Sequence, residues 1–266
     1  MIGPPDVAPR SGYNPDDFQR VRDVEDDHFW FVARNRVLAA ALSTMPIAAL
    51  PLSSILEVGC GTGNTLRVLE AAFPSATVVG IDAFLAGLNI ARERTGGALV
   101  QGRIERLPFC RPFDLIGAFD VLEHIEDDGA ALGHLRAMLR PGGTLVLTVP
   151  AGPALWSRID DESHHCRRYA PRQLRDRLGA SGFHVEYQTY FMTGIYPLVW
   201  LARRAGAVRD LAGRRANESG SALARELKVV PALNQSLRWL LAPEAAWVAR
   251  HRRLPFGTSL LAIART

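Results

Sequence analysis

With 266 residues, 48% of them apolar and 22% charged, the chain is long enough for a full buried core and too apolar for a disordered polymer. Three cysteines, Cys60, Cys110 and Cys166, are odd in number and widely spaced, which excludes a disulfide framework or a cysteine zinc cluster and fits a reducing, cytoplasmic setting. The net charge of +4 is small but uneven: residues 194–256 hold eleven Arg or Lys against four Asp or Glu, so the remainder is net acidic.

Residues 1–17, rich in Pro, Gly and Asp, read as a loose N-terminus. The opening MIGPPDVAPR has no charged stretch followed by an apolar one, so no secretory leader is expected. Residues 18–50 read as an N-terminal helical segment, with one helix over 23–42 carrying the aromatic run HFWF. Apolar runs with β-branched residues follow at 54–58, 77–81, 98–100, 113–119 and 144–149. Helical spacing over 64–72, 84–94 and 129–139 separates them, the last helix stopped by RPGG. Strand alternating with helix predicts a parallel sheet covered on both faces.

Two more strands are expected at 182–191 and 257–266. Between them, 194–256 reads as a helical insertion, basic and apolar, with breaks at Pro197, Pro231 and Pro243. Its apolar run at 191–202 is too short to span a bilayer. Apolar helices bordered by arginine suit peripheral contact with an anionic membrane, closure over a greasy acceptor, or a helical cap or homodimer contact. Lys228 is the only lysine, so the arginines reflect a compositional habit, and no nucleic-acid partner is expected.

The stretch ILEVGCGTGN, residues 55–64, carries the chemistry. Gly59, Gly61 and Gly63 alternate, with Asn64 where the dinucleotide fingerprint needs its third glycine. Glu57 precedes the turn, and a carboxylate there repels a pyrophosphate and favours a cationic group. Asp82, closing TVVGID about twenty residues on, stands where an acid hydrogen-bonds a ribose diol. A ribose joined to a cationic amino-acid tail is S-adenosylmethionine.

ILEVGCGTG, VVGID, LPF, FDVLEHI and LRPGGTLVLTVP, in this order, resemble the motifs of the class I S-adenosylmethionine-dependent methyltransferases. HFWFVARNR, DESHHCRRY and LPFGTSLLAIAR are similar to bacterial methyltransferases of glycoconjugate, lipid-linked saccharide and secondary-metabolite pathways. The resemblance implies a doubly wound, Rossmann-like α/β fold: a seven-stranded sheet whose last strand is antiparallel, with a helical insertion before that strand. It places the donor-binding core at 51–193 and 257–266. It also implies that the three glycines wrap the methionine portion, with Glu57 beneath it and Asp82 on the ribose. Asp120 would face the ammonium or the acceptor, and Trp30 would lie in a lid helix over the donor. Arg103 occupies the place of the family's adenine-binding Asp, which leaves the Ile104 backbone N–H and Glu105 as candidates for that role.

The expected reaction is methyl transfer to an oxygen or nitrogen of a small-molecule acceptor. Aligning nucleophile, methyl and sulfur supplies much of the rate, and a histidine is the natural base if a proton must leave. His124, His164 and His165 are placed for it, and the pattern H-x-R-R-Y favours His165 over His164. His124 reads equally well as a cap or core residue. Tyr169, with Arg167 and Arg168, suits binding of an acceptor carboxylate, phosphate or hydroxyl, while a pairing with Asp160, Asp161 or Glu162 would instead hold the loop. No metal is expected, since adjacent histidines make no coordination set unaided and no third ligand is evident. A nicotinamide-dependent oxidoreductase and a non-methylating S-adenosylmethionine-binding protein are the alternatives.

Overall fold

The computed structural model describes residues 15–44, 52–211 and 228–266. Most of the expected loose N-terminus lies outside the described residues, and its last three positions already belong to a helix. Seven strands, β1 (Ser54–Val58), β2 (Thr77–Asp82), β3 (Ala98–Gln101), β4 (Phe113–Phe119), β5 (Leu139–Pro150), β6 (His184–Phe191) and β7 (Ser259–Arg265), form one sheet in the order β3-β2-β1-β4-β5-β7-β6. Strands β1 to β5 pair in parallel, and β7 inserts antiparallel between β5 and β6. The fold is the expected doubly wound one.

The helices are α1 (Pro15–Val24), α2 (Phe29–Thr44), α3 (Leu66–Ala72), α4 (Leu85–Arg92), α5 (Asp128–Ala137), α6 (Arg158–Glu162), α7 (Pro171–Ala180), α8 (Tyr196–Leu211) and α9 (Pro231–Ala249). Because both sheet faces are covered, the central strands are apolar without alternation. Leu56, Ile116 and Leu145 pack with Leu132 and Leu135 of α5 and Leu174 and Leu178 of α7. Their neighbours Ile55, Leu115 and Val146 pack on the opposite face with Leu38 and Leu42 of α2, Leu69 of α3 and Val248 of α9.

Three local expectations are corrected. The single helix over 23–42 is two helices, because Glu25 turns inward to accept the Thr62 hydroxyl and pair with Arg94, while Asn234 of α9 caps α2. The Asn234 side chain accepts from Phe29 N at 2.7 Å and donates to Asp27 O at 2.8 Å. The 194–256 insertion therefore contributes a helix to the layer over the sheet.

RPGG does not stop a helix; it lies within β5, after α5 has ended at Ala137. Gly142 takes φ +76°, and the β4–β5 register shifts between Phe113 and Leu115, as at a β-bulge. Pro231 opens α9, and Pro243 lies inside that helix rather than ending it. Among the described residues no helix is long and apolar enough to cross a membrane.

Candidate functional site

The strand order reverses between β1 and β4, so the loops leaving their carboxyl ends bound the crevice where ligands bind in such sheets. The turn after β1 needs glycine for two different reasons. Gly59 takes φ +71°, and a Cβ there would stand 2.5 Å from Cγ2 of Val121. Gly61 takes φ +49° and faces open space, so its missing side chain leaves room for a bound group. Its N–H donates to Oδ2 of Asp82 at 2.8 Å, and Phe84 N–H donates to Oδ1 at 2.8 Å. Asp82 thus braces the glycine turn as well as facing the crevice. Burial raises its pKa, opposed by the backbone N–H groups.

Beyond the turn lies a cavity of about 290 Å³, lined by Gly59, Gly61, Asp82, Ile104, Asp120 and His124, among others. Phe18 and Phe84 close one side with ring centroids 5.6 Å apart. Three carboxylates, Asp82, Glu105 and Asp120, reach its wall. Arg103 also lines it but is tied to Glu105 at 2.9 Å, so the cation that replaces the family's aspartate is largely neutralised. The wall is net negative and suited to a cation-bearing ligand.

Glu57 lies beneath the turn, fully buried, and does not itself line the cavity. Thr65 donates its hydroxyl to Oε1, while Oε2 is buried without a hydrogen-bond partner. Burial pushes the carboxyl up to about 8, against the pull of Thr65 and Arg34. Arg34 is a site residue that the sequence reading missed. From α2 it donates to Asp120 Oδ2 at 3.0 Å and to Asn64 Oδ1 at 3.1 Å. Asp120 in turn holds a left-handed backbone, φ +56°. The HFWFVARNR stretch offered a signal, because an arginine one turn beyond the aromatics lies on their face of a helix.

Trp30 takes a different place from the expected one. It lies off the cavity wall, with its ring under the Arg34 guanidinium at 4.9 Å, and Phe18 of α1 takes the aromatic position beside the cavity. Tyr169 is likewise corrected: it is fully buried in the core, off the cavity wall, and donates its hydroxyl to Asp128 Oδ2 at 2.9 Å. Arg167 donates to the carbonyls of Ile125 and Glu126, and Arg168 pairs with Asp160 at 2.7 Å. Both arginines hold loops together.

Of the adjacent histidines, His164 reaches the cavity wall, with φ +55°, whereas His165 turns to Asp160, Nδ1 to Oδ1 2.9 Å. Burial disfavours ionisation of Asp160, yet the His165 and Arg168 contacts prevail and hold its carboxyl at about 2. His124 lines the cavity with its ring centroid 4.8 Å from that of His165, and burial, then His165, lowers its pKa to about 4. It is therefore neutral at pH 7, with an unprotonated ring nitrogen. The adjacent pair His164 and His165 does not act together: His165 groups with His124 instead. The fold brings Glu123 beside His124 and His165, with one possible ligand atom from each lying within 4.8 Å of the others.

A family described as "Methyltransferase domain" matches residues 28–188. The chain belongs to this methyltransferase family. Its fold is that of the class I S-adenosylmethionine-dependent methyltransferases. Trans-aconitate 2-methyltransferase of Azoarcus sp. strain BH72 is 30% identical over 51% of this chain and 53% of its own length. The protein of the same name from Deinococcus radiodurans is 30% identical over 63% of this chain and 58% of its own. The methyltransferase chain thus spans about half the length of the curated relatives it matches.

Two solved structures support the fold. Phosphoethanolamine N-methyltransferase 2 of Haemonchus contortus, in complex with S-adenosyl-L-methionine, superposes with TM-score 0.59 at 17% identity, covering 97% of this chain and 58% of that one. The plantazolicin methyltransferase BpumL, in complex with SAH, superposes with TM-score 0.58 at 14% identity, covering 95% of this chain and 91% of that one.

Proposed function

We propose that this methyltransferase uses S-adenosylmethionine in the cavity beyond β1 and β4 to methylate an oxygen or nitrogen of a small molecule. The observation that carries the reading is the Asp82 carboxylate, which braces Gly61 and faces a cavity where, among the described residues, it is the acid with no side-chain cation paired to it, Glu105 and Asp120 being held by Arg103 and Arg34. Asp82 would accept the ribose hydroxyls. Gly61 would leave room for the methionine portion, and the Ile104 segment and Phe84 would flank the adenine. Glu57, protonated beneath the turn at neutral pH, would support the turn through Thr65 rather than face the ammonium. The same carboxylates oppose a nicotinamide dinucleotide, whose pyrophosphate they would repel.

In the transfer, an acceptor lone pair forms the bond to the methyl carbon while the carbon–sulfur bond breaks and leaves its electron pair on sulfur. His124, neutral and on the cavity wall, would take the acceptor's proton, with His165 and Asp160 fixing its surroundings. The trans-aconitate methyltransferases named above point to a small acceptor, but this wall disfavours a tricarboxylate. A sugar or lipid-linked saccharide hydroxyl, or an amine of a secondary metabolite, fits it better. Incubation with methyl-labelled donor and a panel of such acceptors tests this reading. Label transfer to a hydroxyl or amine supports it, and transfer only to carboxylates overturns it.

The outer faces of α8 and α9 favour contact with an anionic lipid surface. Nine of the eleven exposed large apolar side chains among the described residues lie at 198–256, with Trp239 exposed at 73%. Exposed Arg250, Arg252 and Arg253 flank them. Co-sedimentation with anionic liposomes, lost in neutral ones, is expected; a soluble homodimer with no lipid binding would contradict it.

A further inference from the structure

We propose that Glu123, His124 and His165 form a binding site for one divalent first-row transition-metal cation. Two imidazoles and a carboxylate are the ligand set that zinc, cobalt, iron and copper ions accept. One ligand atom from each residue already lies within 4.8 Å of the other two. The ligands of a tetrahedral zinc stand about 3.4 Å apart, so small side-chain rotations close the set.

Two independent features point to a cation. Glu123 is 1% exposed, and its Oε2 is buried with no hydrogen-bond partner. Asp120 and Asp160 add negative charge around it, partly offset by Arg168. A buried carboxylate oxygen left without a partner is costly, and a cation removes the cost.

The second feature is the outer support. Asp160 holds Nδ1 of His165, which presents Nε2 as the ligand atom, and Asp160 is itself fixed by Arg168 and by Ser157 N–H at 2.9 Å. This carboxylate–histidine arrangement is the one that orients metal-ligating imidazoles. The segments are zipped together by Cys166 N–H to Glu123 O at 2.6 Å. Binding of the cation does not depend on the methyl-transfer reading; only its role does. With the cation bound, His124 would be a ligand and no longer the base; since it lines the donor cavity, the cation would instead acidify an acceptor hydroxyl at the cavity edge.

The test uses the full chain, stripped with EDTA and titrated with Zn²⁺ against a chromophoric chelator. One equivalent is expected to bind. Glu123→Gln and His165→Ala should each weaken the affinity at least about tenfold, and Asp160→Asn by about 10- to 100-fold. His134→Ala, on the exposed side of α5, should leave it unchanged. Cu²⁺ added to the unaltered protein, read by electron paramagnetic resonance, is expected to show nitrogen couplings from two imidazoles, a result independent of how the variants fold. No stoichiometric Zn²⁺ binding, binding insensitive to Glu123 and His165, or a copper spectrum without two imidazoles would overturn the proposal. Intact donor binding alongside any of these would show that the donor-site reading stands without the metal.

Discussion

Arg34 of α2 and Asp120 at the end of β4 meet at 3.0 Å across 86 residues of sequence. The pair joins the N-terminal helix to the cavity wall, and Arg34 also holds Asn64 just past the glycine turn. Asp120 sits in a left-handed conformation that costs a non-glycine residue roughly 1–2 kcal/mol. Packing and the pair hold it there.

Arg34→Ala should leave Asp120 without its counter-ion in a largely buried setting. Because the pair is 9% and 18% exposed, the loss of stability should reach about 2 kcal/mol, below the range for a fully buried pair. Denaturant unfolding of the two proteins measures it.

Asp82→Ala removes both the ribose acceptor and the brace on Gly61. Loss of charge-assisted hydrogen bonds should weaken donor binding by about 2–3 kcal/mol, or roughly 30- to 150-fold in Kd. Calorimetric titration reads the change, and unchanged affinity would mean that the ribose lies elsewhere.

The glycines should separate by effect. Gly59→Ala drives a methyl group against Val121 at 2.5 Å and should cost about 2–4 kcal/mol of stability through clash and φ strain. Gly61→Ala meets nothing within 4 Å and should cost only about 1–2 kcal/mol. Its methyl group instead enters the donor cavity, so donor affinity should fall more than stability does. Thermal melts with and without donor distinguish the two variants.

Glu57 makes stability depend on pH. Its folded pKa of about 8 exceeds its ordinary value of 4.5, so between these limits the folded chain holds a proton that the unfolded chain has released. Raising the pH through this window therefore destabilises the fold, by up to about 1.4 kcal/mol per pH unit. Glu57→Gln should remove that slope from the unfolding free energy measured between pH 5 and pH 8. An unaltered slope would assign it to another group.

The sheet was legible because its strands are apolar on both faces and its helices keep one apolar stripe; β1 and β4 coincide with the ranges read from sequence. Misplaced elements had long-range causes. The break at Glu25 exists because Thr62 and Arg94 draw that carboxylate inward, and no local propensity encodes those partners. Gly61 and Asp82 were legible from spacing, and the structure joins them by a hydrogen bond. Arg34, Glu123 and the burial of Tyr169 were not, since each depends on which segments meet beyond the strand ends. The H-x-R-R-Y pattern favoured His165 as the inward histidine, but the Asp160 bond turns it toward His124 and leaves His164 on the cavity wall.

The most direct measurement is a pair of calorimetric titrations of the unliganded protein, one with S-adenosylmethionine and one with NAD⁺, under the same conditions. One-site binding of the sulfonium nucleoside with no saturable heat from the dinucleotide is expected from a cavity walled by Asp82, Glu105 and Asp120. Saturable NAD⁺ binding with no response to S-adenosylmethionine would contradict the assignment of that cavity to a cationic methyl donor.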